Sequence, residues 1–313
     1  MIRLIKIARW DYSLINHATK RSERVAIYLT KESRVIIQGI TGRVGSAQAG
    51  FALEYGTNLV GGVSPGKGGQ FVRGVPVFNS ALEAVNETGA NASVVFIPAS
   101  GAAEAVVEAL EAGVKLIVVI TEHIPARDSL MTRAKAREKG AVIIGPNCPG
   151  VLSVGIGKMG IMPTGVVSPG RIGVISRSGT LSYEVTAGLT AAGFGQSTIV
   201  GVGGDPYPCA SIMEVLAAFE RDKDTDATVL IGEVGGDGEE RAAAYIKTRI
   251  KKPVFAYIAG RMAPEGKKMG HAGAIIHGNA GTAASKITAL KNNGVMVAST
   301  PVELPDLIRS AMV

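Results

Sequence analysis

The sequence predicts an α/β protein with two doubly wound, parallel-sheet domains. Apolar, β-branched runs alternate with helix-length segments from about residue 33, and the alternation restarts after a Gly/Pro-rich stretch at 145–170. Such alternation is typical of βαβ units whose parallel sheet is buried on both faces. Glycine is frequent, at 41 of 313 residues, so many tight turns are expected. The length of 313 residues also fits two domains.

In the first half, each expected strand is a short apolar run followed by a segment of helical length. We predict strands at Arg34–Gly39, Asn58–Val63, Ala92–Ile97, Lys115–Ile120 and Ala141–Ile144. The helices expected between them are Ser46–Tyr55, Ala81–Thr88, Ala102–Ala112 and Ala126–Lys139. These elements predict a first domain at 31–150, preceded by an N-terminal extension at 1–30.

The second half repeats the pattern and predicts a second domain at 151–313. Its expected strands are Arg171–Ser176, Ser197–Gly203, Thr228–Gly232, Pro253–Ala259 and Val295–Ala298. Its expected helices are Thr180–Ala192, Ser211–Glu220, Glu239–Ile250, Thr282–Asn292 and Leu304–Met312.

The positive charge is concentrated at the N-terminus. The chain has a net charge of +7, but residues 1–34 hold eight basic and three acidic residues, and the remainder holds 25 and 23. The chain has only 5% aromatic residues, and residues 35–313 are nearly neutral. These residues therefore lack the basic stripe and stacking surface of a nucleic-acid-binding protein. The extension is either a targeting segment or a plain N-terminal arm.

Cysteine content and hydropathy favour an intracellular protein without a membrane span. The two cysteines, Cys148 and Cys209, are far apart and have no metal-ligand spacing, so we expect reduced thiols and no metal site. The longest uncharged stretch, 185–204, contains six glycines and fits a helix end, a loop and a strand. We expect a cytoplasmic location, or the mitochondrial matrix if residues 1–30 are a transit peptide.

The loop after the first strand predicts a phosphate site. Gly39, Gly42 and Gly45 lie between a strand and a helix, where backbone N–H groups and the helix N-terminus attract an anion. The second strand is followed by Lys67 and no acidic residue, whereas NAD enzymes normally place an acid there. A cation suits an additional phosphate, as on NADP or coenzyme A. The segment around Lys67 resembles a Walker A loop, but Gly68 replaces the required Ser or Thr, so no ATP site is expected.

Reactive groups are expected in the second domain. Ser178 and Gly179 begin a helix after a strand, which fits either an anion site or an ordinary N-cap. His271 lies in a Gly/Ala-rich loop and fits either a nucleophile toward a phosphoryl group or a solvent-facing histidine. Glu233 follows a strand and could orient that imidazole.

Seven motifs in order resemble the alpha subunit of succinate–CoA ligase, from about residue 31 to the C-terminus. The motifs are GGVSPGKGG at 61–69, ITEHIP at 120–125, GPNCPG at 145–150, SRSGTLSYE at 176–184, GGDP at 203–206, IGEVGG at 231–236 and GKKMGHAGA at 266–274. The resemblance implies a Rossmann-like CoA-binding domain followed by a flavodoxin-like ligase domain. It also implies that succinate, CoA and a nucleoside triphosphate give succinyl-CoA, the diphosphate and phosphate through a phosphohistidine.

The resemblance also assigns residues and partners. It implies His271 as the phosphorylated residue, Glu233 as its support, Tyr183 near the acid substrate and Ser178–Gly179 as a phosphate cradle. The implied CoA contacts are Thr41, Gly42, Arg43, Val44, Lys67, Ile120, Thr121 and Glu122. ATP or GTP and Mg²⁺ would bind a separate beta subunit, in an αβ or α2β2 assembly.

The chain departs from the family pattern at the expected CoA edge. Val44 stands where a glutamine is usual, and PASG at 98–101 replaces the usual Pro-Ala-Pro-Phe. These changes leave open a related acyl-CoA ligase that uses another acid. An NADP-dependent reductase and a CoA-sensing protein are further alternatives, although a sensing module has no need of His271 and Glu233.

Overall fold

A computed structural model describes residues 26–276 and 281–312 of the chain. Within these residues the chain forms two seven-stranded sheets with helices, which confirms the predicted α/β class. The predicted extension falls largely outside them, since only its residues 26–30 are described. Ala26, Ile27 and Leu29 are buried there. The predicted domain boundary near residue 150 stays a prediction, although the second sheet begins at Gly150.

The first sheet has the strand order β3-β4-β2-β1-β5-β6-β7. Its strands are β1 Val35–Gln38, β2 Leu59–Val63, β3 Phe71–Val72, β4 Val75–Phe78, β5 Ala92–Val95, β6 Leu116–Val119 and β7 Val142–Ile144. The helices between them are α1 Arg43–Glu54, α2 Ala81–Thr88, α3 Ala99–Glu111 and α4 Ala126–Glu138. The central strands β1, β5 and β6 are fully buried and pair in parallel, as their continuous apolar runs predict.

The second sheet has the order β14-β13-β12-β10-β11-β8-β9. Its strands are β8 Gly150–Ser153, β9 Gly157–Gly160, β10 Pro169–Ser176, β11 Gln196–Gly201, β12 Ala227–Glu233, β13 Val254–Ala259 and β14 Met296–Ala298. Its helices are α5 Gly179–Ala191, α6 Ile212–Arg221, α7 Gly238–Arg249, α8 Ala283–Asn292 and α9 Leu304–Met312. Strands β10 and β12 are neighbours, and β11 pairs with β10 on its other side.

Two hairpins lie in segments for which the sequence predicted no strand. The β3–β4 hairpin turns at Arg73 and Gly74, whose φ angles of 54° and 79° fit the type I′ turn that follows the strand twist. The β8–β9 hairpin lies within the Gly/Pro-rich stretch and pairs antiparallel with β11. A Cβ on Gly150 would lie 2.0 Å from the Met159 carbonyl oxygen, so glycine is required where these strands meet. The high glycine content of this stretch therefore gave no sequence signal for the buried β8–β9 hairpin.

Candidate functional site

The ends of three adjacent strands of the second sheet carry the predicted Glu233 and Ser178, together with Arg177 and Gly204. Glu233 is the last residue of β12, Arg177 and Ser178 follow β10, and Gly204 follows β11. Ligands of open parallel sheets bind at this carboxyl edge. The edge brings together residues that lie far apart in the sequence.

His271 and Glu233 form the closest contact at this edge. The imidazole Nδ1 lies 2.8 Å from Glu233 Oε2 and 3.0 Å from Oε1. The hydrogen bond to Glu233 raises the pKa of His271 against the opposing effect of burial. With the Nδ1 proton donated to the carboxylate, the neutral ring keeps a lone pair on Nε2. The predicted partnership of these two residues is thus present in the geometry.

The His271 loop approaches the sheet closely through glycine. The Gly273 N–H donates to the Gly204 carbonyl at 2.9 Å. A Cβ on Gly204 would lie 2.2 Å from His271 Cγ, and a Cβ on Gly273 would lie 2.8 Å from the Gly204 oxygen. Both glycines are therefore needed for the imidazole to reach the strand ends.

A buried network of charged side chains contacts Glu233. Arg177 Nη2 lies 3.4 Å from Glu233 Oε1, and Arg177 Nη1 lies 3.1 Å from Glu239 Oε1. Glu239 also pairs with Lys286, and the Glu239 and Lys286 side chains are both fully buried. Burial alone would raise the pKa of Glu239, but Arg177 and Lys286 outweigh it and hold the pKa below its usual value. Along this network the charge alternates from Glu233 to Arg177, Glu239 and Lys286. The alternation holds the Glu233 carboxylate beside His271.

The N-terminus of α5 lies next to this network. The Ser178 hydroxyl accepts from Leu181 N at 3.3 Å, and Ser178 N donates to Ser176 Oγ at 3.1 Å. Ser178 therefore caps the helix, as the plainer interpretation predicted. The N–H groups of Gly179 and Thr180 have no acceptor within the helix, and they point beyond its start. An anion site here would use those two N–H groups.

Tyr183 lies one turn into the same helix. Its hydroxyl is 3.8 Å from the position that a Cβ would take on Gly179. Burial raises the pKa of Tyr183, so the phenol is protonated at neutral pH. This places the Tyr183 hydroxyl at the start of α5.

The first sheet presents a different edge. Helix α1 begins after Gly42 without a side-chain cap, so its first N–H groups stay available to a ligand. A Cβ on Gly45 would lie 2.2 Å from the Gly39 oxygen, which explains the glycine spacing of the loop. Arg43, Val44 and Lys67 are exposed, and the Thr41 hydroxyl donates to Ser64 Oγ at 2.9 Å.

The two edges are connected through Asn147. The Asn147 N–H donates to the Thr121 carbonyl at 2.9 Å, and its side-chain amide donates to Asp205 Oδ1 at 2.9 Å. Ile120 is half-buried, Glu122 is exposed, and the Thr121 hydroxyl donates to the Ile97 carbonyl. Asp205 follows Gly204, whose carbonyl accepts from the Gly273 N–H, so a series of hydrogen bonds joins the segment expected to contact CoA to the His271 loop.

Comparisons with known proteins match the two halves of the chain to two families. Residues 30–123 match the CoA binding domain family, and residues 175–296 match the CoA-ligase family. The chain is 50% identical over 92% of its length to a protein of Archaeoglobus fulgidus named succinate–CoA ligase [ADP-forming] subunit alpha 1, and it covers 99% of that relative. An alpha subunit from Aquifex aeolicus, with the same enzyme name, is 51% identical over 91% of this chain and 94% of that relative.

The chain belongs to the succinate–CoA ligase alpha-subunit family. This membership confirms the resemblance drawn from the seven motifs and identifies the chain as part of an acid–thiol ligase. Among solved structures, ATP citrate lyase from Methanothrix soehngenii superposes with a TM-score of 0.81 at 22% identity, covering 91% of this chain and 51% of that one. At that identity the superposition establishes the shared fold alone.

Some residues of this alpha-subunit site were not singled out from the sequence. Arg177, Asn147 and Asp205 lie inside motifs that carry the family resemblance, so the sequence around them pointed to the site. Glu239 and Lys286 carry no such signal, because their pairing joins the start of α7 to α8. In the described part of the chain there is no cluster of His, Cys, Asp and Glu that could hold a metal ion. Nor does any helix there have the length and hydrophobicity to cross a membrane.

Proposed function

We propose that this chain is the alpha subunit of an ADP-forming succinate–CoA ligase in which His271 carries the phosphoryl group. The observation that supports this most strongly is the hydrogen bond from His271 Nδ1 to Glu233, which leaves Nε2 as the nucleophile. The ADP-forming names of the relatives favour ATP over GTP. Their bacterial and archaeal sources favour a cytoplasmic location.

The reaction divides into three displacements. Nε2 attacks the γ-phosphorus of ATP, the bond to the bridging oxygen breaks, and ADP leaves. A succinate carboxylate then attacks the phosphorus of phosphohistidine, which breaks the P–N bond and forms succinyl phosphate. Finally the CoA thiolate attacks the acyl carbon, phosphate leaves, and succinyl-CoA forms.

The residues of the second sheet would serve each displacement. Glu233 accepts the hydrogen bond from Nδ1–H and so orients the ring. The carboxylate also balances the positive charge of the ring when Nε2 is phosphorylated. The N–H groups of Gly179 and Thr180 would bind phosphoryl oxygens at the positive end of α5. Tyr183, a neutral hydroxyl donor near the same helix start, would contact the succinate carboxylate.

CoA would bind the first sheet, within the segment that matches the CoA binding domain family. Its pyrophosphate would lie at Thr41, Gly42, Arg43 and Val44, at the uncapped start of α1. Lys67 would meet a further phosphate, and residues 120–122 would contact the pantetheine end. The path from Thr121 through Asn147 to Asp205 supports delivery of the thiol toward His271.

The nucleotide and Mg²⁺ would be held by a separate beta subunit. The alpha-subunit names of the relatives imply such a partner. The Walker-like loop at Lys67 has Gly68 where a hydroxyl residue would bind Mg²⁺, so this segment is not a nucleotide loop of that type. The beta subunit would form an αβ or an α2β2 complex with this chain.

The test is phosphoryl labelling of the co-purified complex with γ-³²P ATP. We expect an acid-labile, alkali-stable label on the wild-type chain and none on His271→Ala. His123→Ala is the matched control, because His123 is exposed in the first domain and should leave the label unchanged. Label that persists in His271→Ala would contradict the proposal.

A further inference from the structure

A cavity of about 380 Å³ lies between a helix of the first half and a helix of the second half. Its walls come from α4, from the strand β7 that follows it, from α6 and from Tyr28. The lining contains none of the residues assigned to the proposed reaction. Its volume lies within the usual range of small-molecule sites, roughly 300–1,000 Å³.

The charged lining of this cavity is strongly positive. Arg133, Arg137 and Arg221 line it, and Glu214 is the one acidic residue among the described lining residues. Glu214 is largely committed elsewhere, because its Oε2 accepts from both the N–H and the hydroxyl of Ser211 at 2.7 Å. Its Oε1 lies 3.7 Å from Arg137. The three guanidinium groups therefore exceed the available negative charge by about two.

One hydrogen-bond donor of Arg133 has no acceptor among the described residues. Its Nε is buried and has no hydrogen-bond partner among the described residues. Buried donors in proteins are nearly always paired, so the guanidinium of Arg133, a lining residue, has hydrogen-bonding capacity that no described residue uses. Arg133 and Arg137 lie on the same face of α4, four residues apart.

Tyr28 adds a neutral donor to the positive groups. Burial and the nearby Glu214 raise the pKa of Tyr28 to about 12, and Arg221 opposes this only in part. The phenol thus keeps its proton and can donate a hydrogen bond. The remaining walls are small and apolar, including Ala136, Ala210 and Ala217, which fits a short carbon skeleton.

We infer that this cavity binds a small dianion, a phosphate ester or a dicarboxylate, held by Arg133, Arg137 and Arg221. Guanidinium groups bind both phosphate and carboxylate through paired N–H donors, and two negative charges match the excess on the lining. The wall residue Cys209 donates its N–H to the Gly145 carbonyl, close in sequence to Asn147. The site is thus distinct from the proposed active site but adjoins the segment that links its two edges.

The test follows the side-chain Nε–H of Arg133 by NMR in the full chain carrying ¹⁵N-labelled arginine. Its resonance is identified by its loss in Arg133→Met. Inorganic phosphate and malonate are titrated separately, and we expect at least one to shift this resonance saturably. A shift with phosphate alone identifies a phosphate ester as the ligand class, and one with malonate alone identifies a dicarboxylate.

Two variants decide whether the cavity is the site. Arg221→Met should weaken the anion's effect on the Arg133 resonance by about tenfold, since Arg221 is exposed and water screens part of the charge-assisted contact that is lost. Arg127→Met is the matched control, because Arg127 is an exposed arginine of the same helix outside the lining. Phosphate bound only at the start of α5 would leave the Arg133 resonance unmoved and would overturn the inference. Equal affinity in wild type and Arg221→Met would also overturn it.

Discussion

The carboxyl edges of the two sheets are built in different ways. At the first sheet, an uncapped helix and closely spaced glycines present backbone N–H groups, and the charged side chains Arg43 and Lys67 are exposed. At the second sheet, Glu233 and its supporting residues Arg177, Glu239 and Lys286 are buried and contact one another. One edge presents backbone donors, whereas the other depends on a set of mutually compensating charges.

This difference predicts unequal tolerance to substitution. A backbone site loses little when one exposed side chain changes, because water screens that side chain and the N–H groups remain. A buried network loses much more, because removing one charge leaves another buried without compensation. The replacement of the family's usual glutamine by Val44 is consistent with the first case.

The largest effect is expected for Glu239→Gln. This substitution leaves Lys286 and Arg177 buried with less negative charge, and breaking such a network costs about 3–5 kcal/mol of unfolding free energy. Urea denaturation of the purified chain measures the loss. Glu87→Gln, at an exposed position of α2, is the control and should change the free energy by less than about 0.5 kcal/mol. Equal stability of the two variants would show that the network is not stabilising.

The second prediction separates geometry from charge at the His271 edge. Gly204→Ala puts a methyl carbon 2.2 Å from the present position of His271 Cγ, so the imidazole must shift from the place where it contacts Glu233. A displacement of about 1 Å at a reacting group costs on the order of a hundredfold in rate, so phosphoryl labelling should slow by about that factor. Gly188→Ala, where a Cβ meets no atom within 4 Å, should label at the wild-type rate. An undiminished rate in Gly204→Ala would mean that His271 does not act from this position.

The sequence predicted the central strands and the glycine loops well, because both have local signals. Continuous apolar runs marked β1, β5 and β6, and the spacing from Gly39 to Gly45 marked the loop before α1. The hairpin β8–β9 was missed, since glycines that let two strands approach closely look like loop residues in a sequence. The pairing of Glu239 with Lys286 was missed because it depends on how α7 packs against α8.

A third, smaller effect is expected at the first sheet. Lys67→Ala removes one exposed cation from the proposed CoA site, and screening by water limits the loss of affinity to about tenfold. Isothermal titration calorimetry with CoA measures it. Lys31→Ala, another exposed lysine of the first half, is the matched control and should bind CoA as the wild type does. A thousandfold loss in Lys67→Ala would mean that this edge depends on side chains as strongly as the other.

The smallest effect is a pH dependence that distinguishes two His–Glu pairs. His271 and Glu233 are partly shielded from water, whereas His123 and Glu122, 3.5 Å apart, have exposed side chains. The pKa of His271 is raised in the folded chain, mainly by the hydrogen bond to Glu233. This pair therefore stabilises the fold fully below the ordinary imidazole pKa of about 6.5, and the contribution disappears as pH rises through the raised value.

Denaturation of Glu233→Gln and Glu122→Gln at several pH values tests this distinction. The difference in unfolding free energy between wild type and Glu233→Gln should be greatest near pH 6 and should shrink toward pH 9, because the neutral imidazole gains less from a carboxylate than the imidazolium does. Glu122→Gln should differ from wild type by less than about 0.5 kcal/mol, since water screens an exposed pair. A difference for Glu233→Gln that grows with pH would show that Glu233 favours the neutral imidazole, opposite to the raised pKa. Since attack through Nε2 needs the neutral imidazole, that result would also place the reactive form at a lower pH than the raised pKa does.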